Sequence, residues 1–138
     1  MDKKAIISVT SKVKGNEEDK IEVVTPGKFY KKENAYYAVY DETEISGMSG
    51  TTTTLKISKE KFSLIRMGST STNMNFKKDL VDVIMYNTPY GMLQLQVETN
   101  DLKIKMDDKG GSVIVDYNLG SVGDAPQNTL LEINIKAQ

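Results

Sequence analysis

Hydrophobic and polar positions alternate along this chain with a period of two. Ala5, Ile7, Val9 and Val13 share one parity while Ser8, Thr10 and Lys12 take the other, the signature of a strand with one buried face. The alternation returns at 20–25 through Ile21 and Val23, at 35–44 through Tyr36, Ala38 and Tyr40, and at 51–58, where Lys56 separates Leu55 from Ile57. Further strands are predicted at 61–67, 72–77, 80–87, 91–99, 102–107, 112–119 and 129–136, in runs rich in β-branched and aromatic residues. No helix-length stripe of period 3.6 interrupts them, and 78–83 fits a single helical turn and a strand equally well.

The punctuation between these runs predicts hairpins. Pro26-Gly27 and the segment from Asp107 to Gly111 read as turns, because glycine supplies the positive φ that tight turns need. Asn100-Asp101 reads as a two-residue turn joining Leu93/Leu95/Val97 to Leu102/Ile104/Met106. The longest linker is 120–126, with Pro126 just ahead of the last strand, where its missing N–H is harmless. Short strands joined by hairpin-length connections predict an all-β fold. Up-and-down closure is favoured over a Greek-key sandwich, giving a single closed antiparallel barrel of about 8–10 strands. At 138 residues, with no compositional break, 1–138 is one domain.

Composition narrows the chemistry more than it names it. The chain has no Cys, no His and no Trp. Disulfides and thiolate chemistry are thereby excluded, as are Ser-His-Asp and Cys-His nucleophiles, and zinc, copper and haem lose their usual ligands. No metal or other cofactor is expected. Basic and acidic residues nearly balance, 18 against 19, so no charge surplus steers the protein to nucleic acid or an anionic membrane. All the basic residues are lysine except Arg66. The N-terminal apolar run, 5–9, is too short for a signal-peptide core, and no stretch reaches transmembrane length, so the expected compartment is the cytoplasm.

Several segments carry a family resemblance: 27–30 (Gly-Lys-Phe-Tyr), 36–42 (Tyr-Tyr-Ala-Val-Tyr-Asp-Glu), 45–56 (Ile-Ser-Gly-Met-Ser-Gly-Thr-Thr-Thr-Thr-Leu-Lys), 64–68 (Leu-Ile-Arg-Met-Gly), 86–91 (Tyr-Asn-Thr-Pro-Tyr-Gly) and 116–119 (Asp-Tyr-Asn-Leu). In this order and spacing the chain resembles the YwiB-like family of small bacterial proteins. The Gly-x-x-Gly-Thr stretch at 47–51 and the Tyr-x-Thr-Pro-Tyr-Gly stretch at 86–91 are its most specific marks. The resemblance spans essentially the whole chain and implies a calycin-type (lipocalin-like) β-barrel of bacterial cytoplasmic origin. It implies no activity, since the family is uncharacterised and carries no assigned site residues. The Trp of the first strand in secreted lipocalins is absent, so their transport roles do not transfer.

The most informative constellation is Tyr40, Glu42 and Glu44 with Arg66. On strand parity Tyr36, Ala38, Tyr40, Glu42 and Glu44 face one way, and Arg66 shares the side of Phe62 and Leu64. An inward Arg66 has to be paired, and Glu42 or Glu44 is the natural partner. The functional reading is a carboxylate- or phosphate-binding charge inside a ligand cavity; the simpler one is a structural ion pair, or an arginine plugging one barrel end with its head in water. Tyr86 and Tyr90 flank Pro89 and suit a pocket rim, an interface or merely a tight corner. The Ser46–Thr51 loop lacks a P-loop's Lys-Ser/Thr ending and reads as a glycine-rich entry to a strand. The carboxylate pairs Glu17-Glu18, Asp41-Glu42 and Asp107-Asp108 sit at adjacent positions, which face opposite ways on a strand. Met48, Met67, Met74, Met85, Met92 and Met106 read as core filler.

Three functions follow in order of preference. The first is a non-enzymatic barrel binding a small molecule in a cavity of a few hundred cubic ångströms, on the order of ordinary ligand sites. The second is an interaction or structural module with a filled barrel, an exposed Tyr/Met patch near 86–91 or 45–51, and self-association into a homodimer. The third is an enzyme using Glu42 or Glu44 as acid/base beside Arg66, which requires both carboxylates and the arginine to open onto one cleft. No catalytic residue is assigned on sequence alone.

Overall fold

The structure is a computed structural model and describes residues 2–121 and 125–138. Among them, ten antiparallel strands follow one another: β1 (Lys3–Val13), β2 (Asn16–Lys32), β3 (Ala35–Asp41), β4 (Thr51–Ile57), β5 (Phe62–Gly68), β6 (Thr72–Phe76), β7 (Val81–Thr88), β8 (Gly91–Asp107), β9 (Gly110–Ser121) and β10 (Gln127–Ala137). A 3₁₀ turn at Glu44–Ser46 lies between β3 and β4. Every pair of sheet neighbours except β1 and β10 is consecutive in sequence, and β1 pairs with β10 over the full ladder from Ala5↔Ala137 to Val13↔Thr129. The sheet therefore curls into a nearly closed up-and-down barrel whose seam lies between β6 and β7. Among the described residues that seam is closed by the bridge of Ser71 to Asn87, through backbone bonds of 2.9 and 3.0 Å, and by Asn75 Nδ2 donating to Asp82 Oδ2 at 3.5 Å.

β4 shows how local chemistry selects the strand. Four consecutive threonines, stiff at χ1, favour the extended backbone, and burial alternates from Thr51 through Thr53 and Leu55 to Ile57. The apolar interior gathers Phe29, Leu55, Ile57, Phe62, Phe76, Val113 and Ile135 from the inward parity of their strands. Phe62 stacks on Phe76, ring centroids 5.6 Å apart, and Phe76 tilts against Tyr117 at 4.9 Å. The β8–β9 hairpin turns where expected, with Gly110 and Gly111 at positive φ. A Cβ at Gly111 would lie 1.9 Å from the Lys105 carbonyl oxygen. The 120–126 linker also joins β9 to β10, although 122–124 lie outside the described residues.

Two expected turns are instead inside strands. Pro26-Gly27 lies within β2, opposite Ile6 and Ala5 of β1. A side chain at Gly27 would press within 2.5 Å of both the Val39 carbonyl oxygen and Ile7 Cδ1, so the glycine serves a close backbone approach rather than a turn. The real β2–β3 turn is at Glu33 and Asn34, with Glu33 at φ 58. Asn100-Asp101 likewise does not end a strand. β8 runs through it with a bulge: Thr99 pairs with Tyr117 and Asp101 with Asp116, leaving Asn100 as the extra residue. The bulge switches inward parity from Val97 and Thr99 to Leu102, Ile104 and Met106, a change that imitates a hairpin in the sequence. The methionines are not uniformly core filler either. Met74 is buried, but Met67, Met85 and Met92 are exposed, Met67 and Met85 on the outward parity of β5 and β7.

Candidate functional site

One barrel end carries the loops 42–50, 68–71 and 89–90, and just inside it the interior turns polar. Tyr40, Thr53, Arg66 and Thr72 are consecutive cross-strand partners on β3, β4, β5 and β6, forming a single inward row across four strands. Thr99, Tyr117 and Thr129 form a second row on β8, β9 and β10. A cavity of about 120 Å³ is lined by Tyr40, Glu42, Arg66 and Tyr117, over a floor that includes Leu64, Met74 and Phe76. It is smaller than the few hundred cubic ångströms the sequence suggested. Broader concavities of about 600–640 Å³ lie elsewhere; one is bordered by Lys12, Lys14, Lys20, Asp116 and Asn128 and does not include Arg66.

Arg66 Nε lies 3.8 Å from Glu42 Oε2, and the two side chains are 16% and 2% exposed. This is an ion pair too long for a hydrogen bond. The Glu42 carboxylate instead accepts a hydrogen bond from Thr53 Oγ1, and its backbone N–H donates to the Thr51 carbonyl at 2.8 Å. Arg66 Nε is buried without a hydrogen-bond partner, as are the hydroxyls of Thr72 and Thr99. Burial removes water from charged groups, so the pair holds because each charge faces its opposite.

The structure brings Tyr40, Glu42 and Arg66 together but leaves Glu44 out. β3 ends at Asp41, and Glu44 opens the 3₁₀ turn, capped by Thr43 and closed by Gly47 at φ 76. Strand parity no longer applies there, and Glu44 faces solvent. The arrangement of both carboxylates with Arg66 in one cleft is therefore not assembled. Tyr86 is half-buried, its hydroxyl 4.0 Å from the sulfur of Met48, which lines the cavity with Ser46. Tyr90 is fully exposed at the tip of the β7–β8 hairpin, away from the cavity. That hairpin turns at Pro89 and Tyr90, and Gly91 takes φ 130, as the tight-corner reading expected.

Tyr117 is the site residue that sequence reasoning missed. It follows Val113 and Val115 on the inward parity of β9, a signal that was present. Burial pushes the Tyr117 hydroxyl's pKa up, while Arg66 and a hydrogen bond with Thr129 pull it partly back. Tyr40 is pushed well above the ordinary tyrosine value, by burial first and then by the Glu42 carboxylate, with Arg66 opposing. Both phenols thus keep their protons in the fold after unfolded tyrosines have lost them. Their stabilisation is complete below the unfolded value of 10.0 and is lost as pH rises from there through the raised folded values. Alkaline titration followed by tyrosinate absorbance and circular dichroism is expected to show a late tyrosine class that ionises together with unfolding. Early ionisation of every tyrosine in a folded barrel would contradict it.

Among the described residues no cluster of His, Cys, Asp or Glu is placed to hold a metal ion, and no helix is long and apolar enough to cross a membrane. Comparison with known proteins points one way. The chain is 28% identical over 115 residues to the protein described as "Uncharacterized beta-barrel protein YwiB" from Bacillus subtilis (strain 168), covering 83% of this chain and 78% of that one. It superimposes on the crystal structure of the YwiB protein from Bacillus subtilis with a TM-score of 0.87 at 22% identity, covering 99% of this chain and 93% of the other, which shows a shared fold. The profile of a domain of unknown function, DUF1934, matches residues 7–133, and the chain belongs to that family.

Proposed function

We propose that the protein is a non-enzymatic barrel that binds a small molecule at the polar end of its interior, in a lipocalin-like manner. The observation that carries this reading is the unfilled space of about 120 Å³ beside Arg66 and Glu42 at the polar end of the interior. A purely structural ion pair has no need of adjoining space, and interiors are ordinarily packed without voids. Polar groups converging on a concave, partly apolar chamber are the usual form of a ligand site. Tyr40, Glu42, Arg66 and Tyr117 would contact the ligand, with Ser46 and Met48 at the rim beside Tyr86. Native mass spectrometry of the full chain as isolated is expected to show a small-molecule adduct that is lost on unfolding. A bare chain whose mass is also unchanged by a panel of small metabolites would overturn the proposal.

A second reading is favoured by the outer face of β7 and the tip of the β7–β8 hairpin. Val81, Val83, Met85, Met92 and Tyr90 are all exposed there, the kind of apolar surface that suits a protein partner or a second copy of this chain. The same spectra report subunit number, so a dimer without adduct would favour this alternative.

A further inference from the structure

We infer that the ligand of this chamber presents a compact oxyanion, a carboxylate or a phosphate, to the guanidinium of Arg66. The inference rests on the binding-barrel proposal and adds the chemical class. The chamber's hydrogen-bonding groups are out of balance. A guanidinium has five N–H donors and no acceptor. Among the described residues the Arg66 side chain has an ion pair with Glu42 but no hydrogen bond, and its Nε is buried without one. Glu42, the one carboxylate among the described residues lining the chamber, is already engaged by Thr53 and the Tyr40 hydroxyl. What the chamber lacks is an acceptor, since buried donors are ordinarily satisfied.

Geometry leaves a place for that acceptor. Glu42 Oε2 stands 3.8 Å from Nε without a hydrogen bond, so the guanidinium's donors, Nε among them, remain for a second oxyanion. Arg66 then bridges two anions, and Glu42 keeps its bond from Thr53 without being displaced. The hydroxyls of Tyr40 and Tyr117 also line the chamber, that of Tyr40 already directed at Glu42. A lysine would offer only a point charge, and no other basic residue lines the chamber among the described residues. The space corresponds to about four water volumes. That suits inorganic phosphate or a carboxylate on a short carbon chain lying against Val23, Leu64, Met74 and Leu131.

Calorimetric titration of the full chain with butyrate, inorganic phosphate and butyramide tests the class, and the amide serves as a neutral isostere. Butyrate or phosphate is expected to bind at least tenfold more tightly than butyramide, and whichever of the two binds identifies the oxyanion's source. Arg66→Lys, which keeps the charge and loses the planar fork, is expected to weaken that binding at least tenfold. Butyramide matching butyrate, or oxyanion affinity untouched in Arg66→Lys, would overturn the oxyanion assignment and leave the binding barrel standing. The same holds if neither oxyanion binds while native spectra show a neutral adduct. Absence of both probe binding and any adduct overturns the two proposals together.

Discussion

Phe62→Ala is expected to lower the unfolding free energy by about 3–5 kcal/mol, read from the midpoint of denaturant unfolding at unchanged slope. The ring is fully buried, pairs across the sheet with Ile57 and Phe76, and stacks on Phe76. Truncation removes the transfer energy of the ring and leaves a void that a ladder-bonded wall cannot close. Strands β4, β5 and β6 are fixed in register on both sides of it, from Thr51↔Gly68 to Arg66↔Thr72, so inward collapse would break backbone hydrogen bonds. The effect also reaches the site. Phe76 is the floor of the Arg66 chamber and rests on Phe62 on one side and Tyr117 on the other. Phe62→Ala is therefore expected to loosen ligand binding in proportion to the freedom Phe76 gains. A loss below about 1 kcal/mol would mean that the barrel interior adapts far more readily than close packing allows.

The residues that made the barrel legible were those whose inward parity ran unbroken. Ala5 and Ile7, Leu55 and Ile57, and Val113 and Val115 all lie inside, as their alternation requires. Phe62 and Leu64 place Arg66 inward, and Ala38 does the same for Tyr40 and Glu42, so the centre of the site is readable in the alternation alone. What stayed illegible depended on contacts between strands distant in sequence. Gly27 looks like a turn residue until Ile7 and Val39 are seen against it. Asn100 looks like a turn because a bulge and a hairpin produce the same parity change along one chain. Alternation alone puts Glu44 on the wrong side because it does not announce its own end: what stops it is a local cap, the Ile45 N–H donating to the Thr43 hydroxyl. The chamber's size depended on how closely Phe76, Tyr117 and Leu131 approach from three strands, which no single strand encodes.

Arg66→Met is expected to destabilise the barrel by about 2–3 kcal/mol at neutral pH, at or just below the lower end of what breaking a fully buried pair costs, because Arg66 is 16% exposed. The cost comes from Glu42 rather than from the contact itself. Glu42 is the more buried partner, and without the guanidinium its carboxylate keeps the bond from Thr53 but has no opposing charge. Glu42→Gln removes that charge while its amide oxygen can still accept from Thr53. Adding Glu42→Gln to Arg66→Met is therefore expected to recover most of the loss, with a coupling of about 1–2 kcal/mol between the two changes in a double-mutant cycle of denaturant unfolding. A small penalty for Arg66→Met with no coupling would instead mean that Glu42 never depended on the arginine. The 3.8 Å separation makes both outcomes informative about function, because the weaker the coupling to Glu42, the more of the guanidinium's demand for an acceptor is left for a ligand to meet.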